Sequence, residues 1–361
     1  MAATVTLSDV AREAGVSLAT ASRAINGSAN RTVREDLRER VLAAAARLRY
    51  SPDANAQAMA RGRTTSLGLV VHDIADPYFS SIAAGVSAAA DRSGLAVTLA
   101  STRHDQTRER GLIEVLQRQR ARAIIIAGGR TDDDALNAEL RRALADYRAG
   151  GGSAALVGQP VLGVDTVVID NADGAAALAR ALHGLGYREF AVLAGPAGHL
   201  TARERLDGFR AGLAELGVAL DPANVIGCAF TRDGGYDGMQ ELLRRRGSVE
   251  LVFAVNDVMA VGAMAAARDA GVDVPGELAV AGFDDIVTLR DVTPPLTTVR
   301  VPLVEVGVAA TELALAPPSD EPRLVHVEAT VVLRASTPPR TAPTQTAQPR
   351  TPDGHGAGSA S

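Results

Sequence analysis

Lysine is missing from the 361-residue chain altogether, so all 37 cationic side chains are arginine. A P-loop, a kinase phosphate-binding lysine and a Schiff-base mechanism each need that ammonium group, and all three are excluded. Tryptophan is absent too, and aromatic residues make up only 3% of the chain, so any core must be aliphatic and rich in alanine. The single cysteine, Cys228, rules out an intrachain disulfide and a cysteine-based metal cluster. The six histidines show no HxxxH spacing, and neither a metal nor a cofactor is expected. Apolar runs break well before the roughly 20 residues of a membrane span. The opening MAATVTLSDV has neither the charged start nor the apolar stretch of a secretory signal. A reduced, cytoplasmic protein without membrane contact is the expectation.

Net charge is −5, but it is unevenly distributed. Residues 1–62 hold nine Arg against six acidic residues, a balance of +3, which leaves −8 on the remainder. The length suits more than one domain at about 100–200 residues each.

The basic head reads as three short helices. Thr6-Leu7-Ser8-Asp9 and Thr32-Val33-Arg34-Glu35 both match a capping box, in which the hydroxyl takes one orphan amide and the carboxylate returns to the cap. Gly15 ends the first helix and Ser17 can cap the second. Val33, Leu37, Val41, Ala44 and Leu48 form one apolar stripe on the third. At about 100° per residue, Thr20, Ala21, Ala24 and Ile25 share one side of the second helix, while Leu18, Ala19, Ser22, Arg23 and Asn26 share the other. A second helix presented in this way is the reading element of a helix-turn-helix, and arginine suits bidentate contact with guanine. A plain solvated bundle would carry the same charge. Ser51-Pro52-Asp53 then opens a stretch to Arg61 that is short and poor in large apolar residues, a conditional linker helix.

From Leu67 onward, apolar runs such as LGLVV (67–71), AIIIAG (123–128), VIGCAF (225–230), LVFAV (251–255) and LAVAGFDD (278–285) alternate with amphipathic stretches. That order predicts two doubly wound parallel sheets, with 296–301 and 325–334 as strands completing them. Residues 337–361 contain five Pro and five Thr but no Leu, Ile, Val or aromatic residue, and read as a disordered tail. In doubly wound proteins ligands bind at the carboxyl ends of strands. Tyr78 and Phe79 follow the first such strand and could stack on a ring, or simply fill the core. Arg205 lies one turn into a helix and could fork onto hydroxyls or a carboxylate, with Arg203 as its surface competitor. Asn256 and Asp257 end a buried run and open a helix, where they either cap it or meet a ligand.

The run TLSDVAREAGVSLATASRAINGS, followed by ERVLAAAARLRYSPDANAQAMARGRTTSLGLVV, DPYFSSI, GPAGHLTARERLDGFRAGL, FAVNDVMAVGAM, VAGFDD, PPLTTVRVP and VVLRAST, resembles the lactose-repressor (LacI/GalR) family of bacterial transcription regulators. The resemblance spans residues 5–337. It implies an all-α helix-turn-helix head (5–50), a hinge helix (51–62) and a periplasmic-binding-protein-like effector and dimerisation domain (63–336). The N-lobe would take about 63–163 plus 293–316, and the C-lobe about 164–292 plus 323–336. Leu18 and Ala19 would choose the base sequence. Thr6, Ser17, Thr20 and Ser22 would touch phosphate or groove, Arg23 would read a base, and Asn26 would end the helix on DNA. Asn55, Gln57 and Met59 would act in the minor groove, with Met59 in the wedge position where the family usually has Leu. Besides Tyr78, Phe79, Arg205, Asn256 and Asp257, the resemblance assigns His199, Thr201 and Phe230 to the effector. Asp284 and Asp285 would either line that site or cap the following helix. The implied partners are double-stranded DNA with a palindromic operator, a second copy of the chain and a small effector. The acidic body favours a neutral sugar, a purine or nucleoside being the alternative. The rival classes are a periplasmic-type sugar receptor and an enzyme, the latter without a GxSxG, a GxGxxG after the first strand or a metal cluster.

Overall fold

A computed structural model of the chain describes residues 5–26, 33–50, 64–245 and 247–340. The expected hinge helix, with Asn55, Gln57 and Met59, lies outside these residues.

The head consists of α1 (Leu7–Ala14), α2 (Leu18–Asn26) and α3 (Glu35–Arg47). The Thr6 amide donates to the Asp9 carboxylate at 2.9 Å and the Asp9 amide donates to the Thr6 hydroxyl, so the first capping box forms. Gly15 closes α1 at φ +62°, a left-handed conformation that glycine adopts without steric cost. The second box does not set the start of α3: the cap residue is Arg34, whose side chain caps no helix amide, and Thr32 is outside the described residues. An Arg34–Asp36 ion pair at 2.7 Å occupies that turn instead. Val10, Ala14, Ala21, Ala24, Val41 and Ala44 make the core, and their small size lets the three helices approach closely.

The first lobe is a six-stranded parallel sheet in the order β11-β5-β4-β3-β1-β2. Its strands are β1 (Ser66–Val71), β2 (Ala96–Ser101), β3 (Ala123–Ala127), β4 (Ser153–Val157), β5 (Asp165–Ile169) and β11 (Leu324–Val327). Helices α4 (Pro77–Arg92), α5 (Arg108–Arg118), α6 (Asp134–Ala149) and α11 (Leu303–Leu315) belong to it. Every residue of β3 is buried, as a strand covered on both faces requires.

The second lobe has a four-stranded parallel sheet, β7-β6-β8-β9, built from β6 (Phe190–Leu193), β7 (Val225–Ile226), β8 (Leu251–Ala254) and β9 (Ala279–Ala281). An antiparallel ribbon of β10 (Thr298–Arg300) and β12 (Thr330–Val332) accompanies it. Its helices are α7 (Asn171–Gly184), α8 (Leu200–Ala214), α9 (Arg232–Arg244) and α10 (Asp257–Asp269). Three of the few aromatic residues pack together here: Phe209 stacks 4.7 Å from Phe253 and meets Phe190 edge-on at 5.8 Å.

Several boundaries move from the sequence reading. The lobes divide after Ile169, Val301 and Val327, not near 163, 292 and 316–323. Strand β5 hydrogen-bonds to β4 and β11, which places 164–169 and 324–327 in the first lobe. The Gly282 and Asp284 amides donate to the carbonyls of Thr297 and Val299, which places 293–301 in the second. Only Val225 and Ile226 of VIGCAF are strand, because the chain turns there towards the Thr231 hydroxyl, which caps α9 at 3.1 Å from the Gly234 amide. The tail also begins later than read: Thr337 pairs with Thr297 at 2.6 Å, the Tyr187 hydroxyl donates to the Pro338 carbonyl, and the Arg340 amide donates to Leu185. Residues 341–361 lie outside the described part.

The three glycines of α9 argue against a helix by propensity. One of them, Gly235, is needed for contact with α10: a Cβ on it would overlap the Met259 carbonyl, and one on Gly262 of α10 would overlap that of Arg232. Gly111 in α5 has no such neighbour. Gly262→Ala should therefore lose about 1–3 kcal/mol through overpacking, whereas Gly111→Ala should be neutral or gain up to about 1 kcal/mol. Scanning calorimetry distinguishes them, and equal losses would contradict the close helix contact.

Candidate functional site

Helix α2 is anchored through Ala21 and Ala24, which are 0% and 6% exposed. That fixes what its other side presents: Leu18 is 51% exposed, Ser17 and Ala19 are exposed, and Ser22, Arg23 and Asn26 are half-buried. Arg23 is held along the helix by a 2.9 Å bond from Nε to the Ala19 carbonyl, and Asn26 Nδ2 reaches the Ser22 hydroxyl at 3.3 Å. The Ser17 hydroxyl accepts from the Thr20 amide at 3.1 Å and lies 2.8 Å from the Thr20 hydroxyl. The Thr6, Ser17 and Thr20 hydroxyls thus already take part in helix starts, which orders the chain around the reading face. Arg40, which the sequence reading passed over, donates to the Ala14 carbonyl at 2.6 Å and closes the carboxyl end of α1.

In the first lobe, the Asp76 carboxylate caps α4 by accepting from the Tyr78 amide at 2.9 Å. Tyr78 is half-buried and meets Phe79 edge-on at 5.0 Å. Phe79 is only 7% exposed and packs 5.4 Å from the His72 ring, so its burial is that of a core residue. The sequence reading missed a buried group at the same strand ends. Arg130 is bound through both arms to Glu109, each contact 2.6 Å, while its amide donates to Gln159 Oε1 at 2.9 Å. Burial pushes the Glu109 carboxyl up, but hydrogen bonds from Arg130 and His72 outweigh it and bring the pKa to about 2. Burial pushes the His72 imidazole down, against the pull of Glu109.

In the second lobe, Arg205 is 1% exposed. Its Nε donates to Asn171 Oδ1 at 2.8 Å, Nη1 to the Val255 carbonyl at 2.8 Å and Nη2 to Asp284 Oδ1 at 2.7 Å, and its plane sits 3.9 Å from the Phe283 ring. Arg203 is exposed, as expected for the competitor. Asn256 caps α10, its Oδ1 accepting from the Met259 amide at 2.8 Å. Asp257 accepts from the protein: Oδ1 takes the Thr298 hydroxyl at 2.7 Å and Oδ2 the Ile286 amide at 3.0 Å, and the residue is 0% exposed. Asp284 and Asp285 cap no helix, since the 3-10 turn that follows starts at Ile286 without a side-chain cap. Asp284 takes Arg205, and Asp285 takes Arg300 and Arg334, each at 2.6 Å. Both aspartates hold positive φ, +120° and +56°, and strained backbone of this kind concentrates at functional sites. His199 caps α8 through Nδ1, accepting from the Ala202 amide at 3.3 Å, and stacks 4.5 Å from Phe230. Thr201 lies half-buried in the first turn of the same helix.

Residues 6–53 match the family model of bacterial regulatory proteins of the lacI family, and residues 64–330 match that of periplasmic binding proteins and the sugar binding domain of the LacI family. The chain belongs to the LacI family of bacterial regulatory proteins. Among similar LacI-family members is the HTH-type transcriptional regulator GalS of Salmonella typhimurium, 37% identical over 86% of this chain and 89% of its own. The structure of the lac repressor dimer bound to operator and the anti-inducer ONPF superposes with a TM-score of 0.79 at 26% identity, covering 93% of this chain and 100% of that one. A complex of the transcriptional regulator CelR with cellobiose gives 0.67 at 31% identity, covering 92% and 99%. Membership decides among the classes left open by the sequence: the chain is a regulator, and neither a transport receptor nor an enzyme. Among the described residues, no helix is long and apolar enough to cross a membrane.

Burial raises the Asp257 carboxyl to about 6, with Thr298 and Ile286 pulling the other way. A carboxyl whose folded pKa exceeds its unfolded value of about 3.9 is fully favourable to folding below pH 4, and that contribution falls as pH rises towards 6. Asp257→Asn should remove this fall. In urea unfolding, the difference between wild type and Asp257→Asn should shift in favour of the variant by roughly 2–3 kcal/mol from pH 4 to pH 7. A difference that stays constant with pH would contradict the burial of an ionisable Asp257.

Proposed function

We propose that the chain is a dimeric cytoplasmic repressor that grips a palindromic operator through two copies of α2 and whose grip is controlled by a sugar-class effector bound at the strand ends of the α/β lobes. The carrying observation is that α2, anchored by Ala21 and Ala24, presents Leu18, Ala19, Ser22, Arg23 and Asn26 in the same chain as a LacI-type ligand-binding body. In this reading Arg23 forks onto guanine, Leu18 and Ala19 rest against thymine methyl groups, and Ser22 and Asn26 add groove or phosphate contacts. The 51–62 segment acts as hinge, with Asn55 and Gln57 in the minor groove and Met59 as an apolar wedge between base steps. The lac repressor dimer bound to operator supports pairing on DNA. A head charge of only +3 gives one copy weak binding, and two heads joined in a dimer multiply it.

For the effector, Asp284 and the Asn256 amide nitrogen are the hydrogen-bonding groups, and Tyr78 and the stacked His199–Phe230 pair supply ring faces for a sugar. Thr201 adds a hydroxyl beside that pair. Arg205 and Asp257 act as positioning residues, and Phe79 backs Tyr78. The cellobiose complex of CelR supports a carbohydrate. Effector and operator then influence each other through states that bind them differently.

Arg23→Ala should weaken operator binding by about 1–3 kcal/mol in a mobility-shift titration, with much less loss on random duplex. Equal loss on both would reduce Arg23 to a phosphate contact and contradict the assignment.

A further inference from the structure

The amino edge of the first-lobe sheet, opposite the strand ends proposed for the effector, carries a pocket of about 230 Å³. Arg122 lines it from just before β3, Arg323 from just before β11, and Arg148 from the last turn of α6. Ser153 and Asp165 are the first residues of β4 and β5, and the end of α11 supplies a further wall. The Ser153 hydroxyl is taken up by that wall, donating to the Ala314 carbonyl.

Three guanidiniums meet a single carboxylate here, an excess of two positive charges in a body whose balance is −8. Asp165 is committed to Arg323: Oδ1 accepts from the Arg323 amide at 2.8 Å and Oδ2 from Nε at 3.0 Å. That grip fixes the plane of the Arg323 fork. Arg148 has only the Gly163 carbonyl, 3.2 Å from Nη1. The Arg122 side chain has neither an ion pair nor a hydrogen bond among the described residues. The pull of a helix carboxyl end on a cation accounts for Arg148, but not for Arg122 and Arg323, which precede strands. Two other surface grooves are balanced or acidic: two arginines stand with three carboxylates along α5 and α6, and two with two beside α10. Like charges gathered in one pocket repel unless a counter-charge joins them.

A phosphate monoester carries about −1.5 to −2 near neutral pH, which matches the excess, and its oxygens accept the paired N–H groups of guanidinium forks. The volume lies below the roughly 300–1,000 Å³ usual for drug-sized ligands, so the occupant is small. The carboxyl edge of the same sheet is the opposite case, since Arg130 there is already bound through both arms to Glu109.

We propose that the amino-edge pocket binds a small phosphate monoester, with Arg122 and Arg148 as forks on the phosphate and Arg323, held by Asp165, as the third contact. It is a ligand site separate from the effector's. The Arg122 amide donates to the Ser66 carbonyl and the Thr64 amide to that of Arg120, which places the occupant beside the point where the chain coming from the head enters β1.

Calorimetric and thermal-shift titrations of the full chain test it, with ribose 5-phosphate, ribose and inorganic phosphate in chloride buffer at constant ionic strength. Both phosphates should bind, and ribose should leave that binding unchanged. Arg122→Gln and Arg148→Gln, at exposed positions, should keep the melting temperature and weaken phosphate binding by about tenfold or more. Arg142→Gln, exposed on α6, should bind as wild type does. No response of wild type to either phosphate, or a response that Arg122→Gln and Arg148→Gln retain, overturns the proposal. The other source of phosphate is the DNA backbone, and salt titration of the operator complex separates the two. Losing one DNA phosphate contact lowers the slope of log K against log salt by about 0.9. Wild type and Arg122→Gln should share one slope, and a shallower slope in the variant assigns the arginines to DNA and overturns the small ligand. Failure of wild type to shift palindromic DNA defeats the regulator reading instead, and the calorimetric outcome then decides this proposal alone.

Discussion

One guanidinium, that of Arg205, ties the carboxyl edge of the second lobe together. It reaches Asn171 at the start of α7, the carbonyl of Val255 at the end of β8, and Asp284 in the loop after β9. Removing one member of such a buried charged pair generally costs about 3–5 kcal/mol, because the other charge is left without a partner. The geometry of that edge, including the strained φ of +120° at Asp284, depends on these bonds. The first lobe uses the same device with Arg130 and Glu109. The absence of lysine is consistent with this construction, since a planar fork satisfies several acceptors in fixed directions and an ammonium on a flexible stem does not.

Asn256 and Asp257 illustrate how neighbouring polar residues hold different parts of the structure. Asn256 uses its oxygen to cap α10, and its amide nitrogen is the group proposed above to meet the effector. Asp257 uses both oxygens to hold Thr298 and the Ile286 amide, and so fixes the loop that carries Asp284. In the proposed site, effector recognition would thereby be coupled to the backbone of β9, β10 and α10.

The local signals in the sequence were the ones the fold followed. The Thr6–Asp9 capping box, Gly15 and the buried face of α2 appear where the residue pattern placed them, and the alternation of apolar runs and amphipathic stretches became parallel sheets. What sequence spacing did not reveal depended on distant partners. Whether β5 and β11 belong to one lobe is settled by hydrogen bonds between residues more than 150 positions apart, such as Arg323 to Asp165. The glycines of α9 make sense only against their neighbours, Gly235 against α10 and Gly234 against the Ala229 backbone. Asp257 stands at the helix start where the residue pattern placed it, and its bonds to Thr298 and the Ile286 amide were not legible from that position because the partners lie 41 and 29 residues away. The Arg130–Glu109 pair joins residues 21 apart with no motif to mark them, and Thr337–Arg340 are ordered by Thr297, Tyr187 and Leu185, none of them nearby in sequence.

The role of Arg205 as organiser of the effector edge is tested most directly by operator titration of wild type and Arg205→Lys, with and without the sugar that alters the wild-type complex. The account predicts matching operator affinity without sugar and loss of the sugar response in the variant. A variant that responds to sugar as wild type does would contradict it.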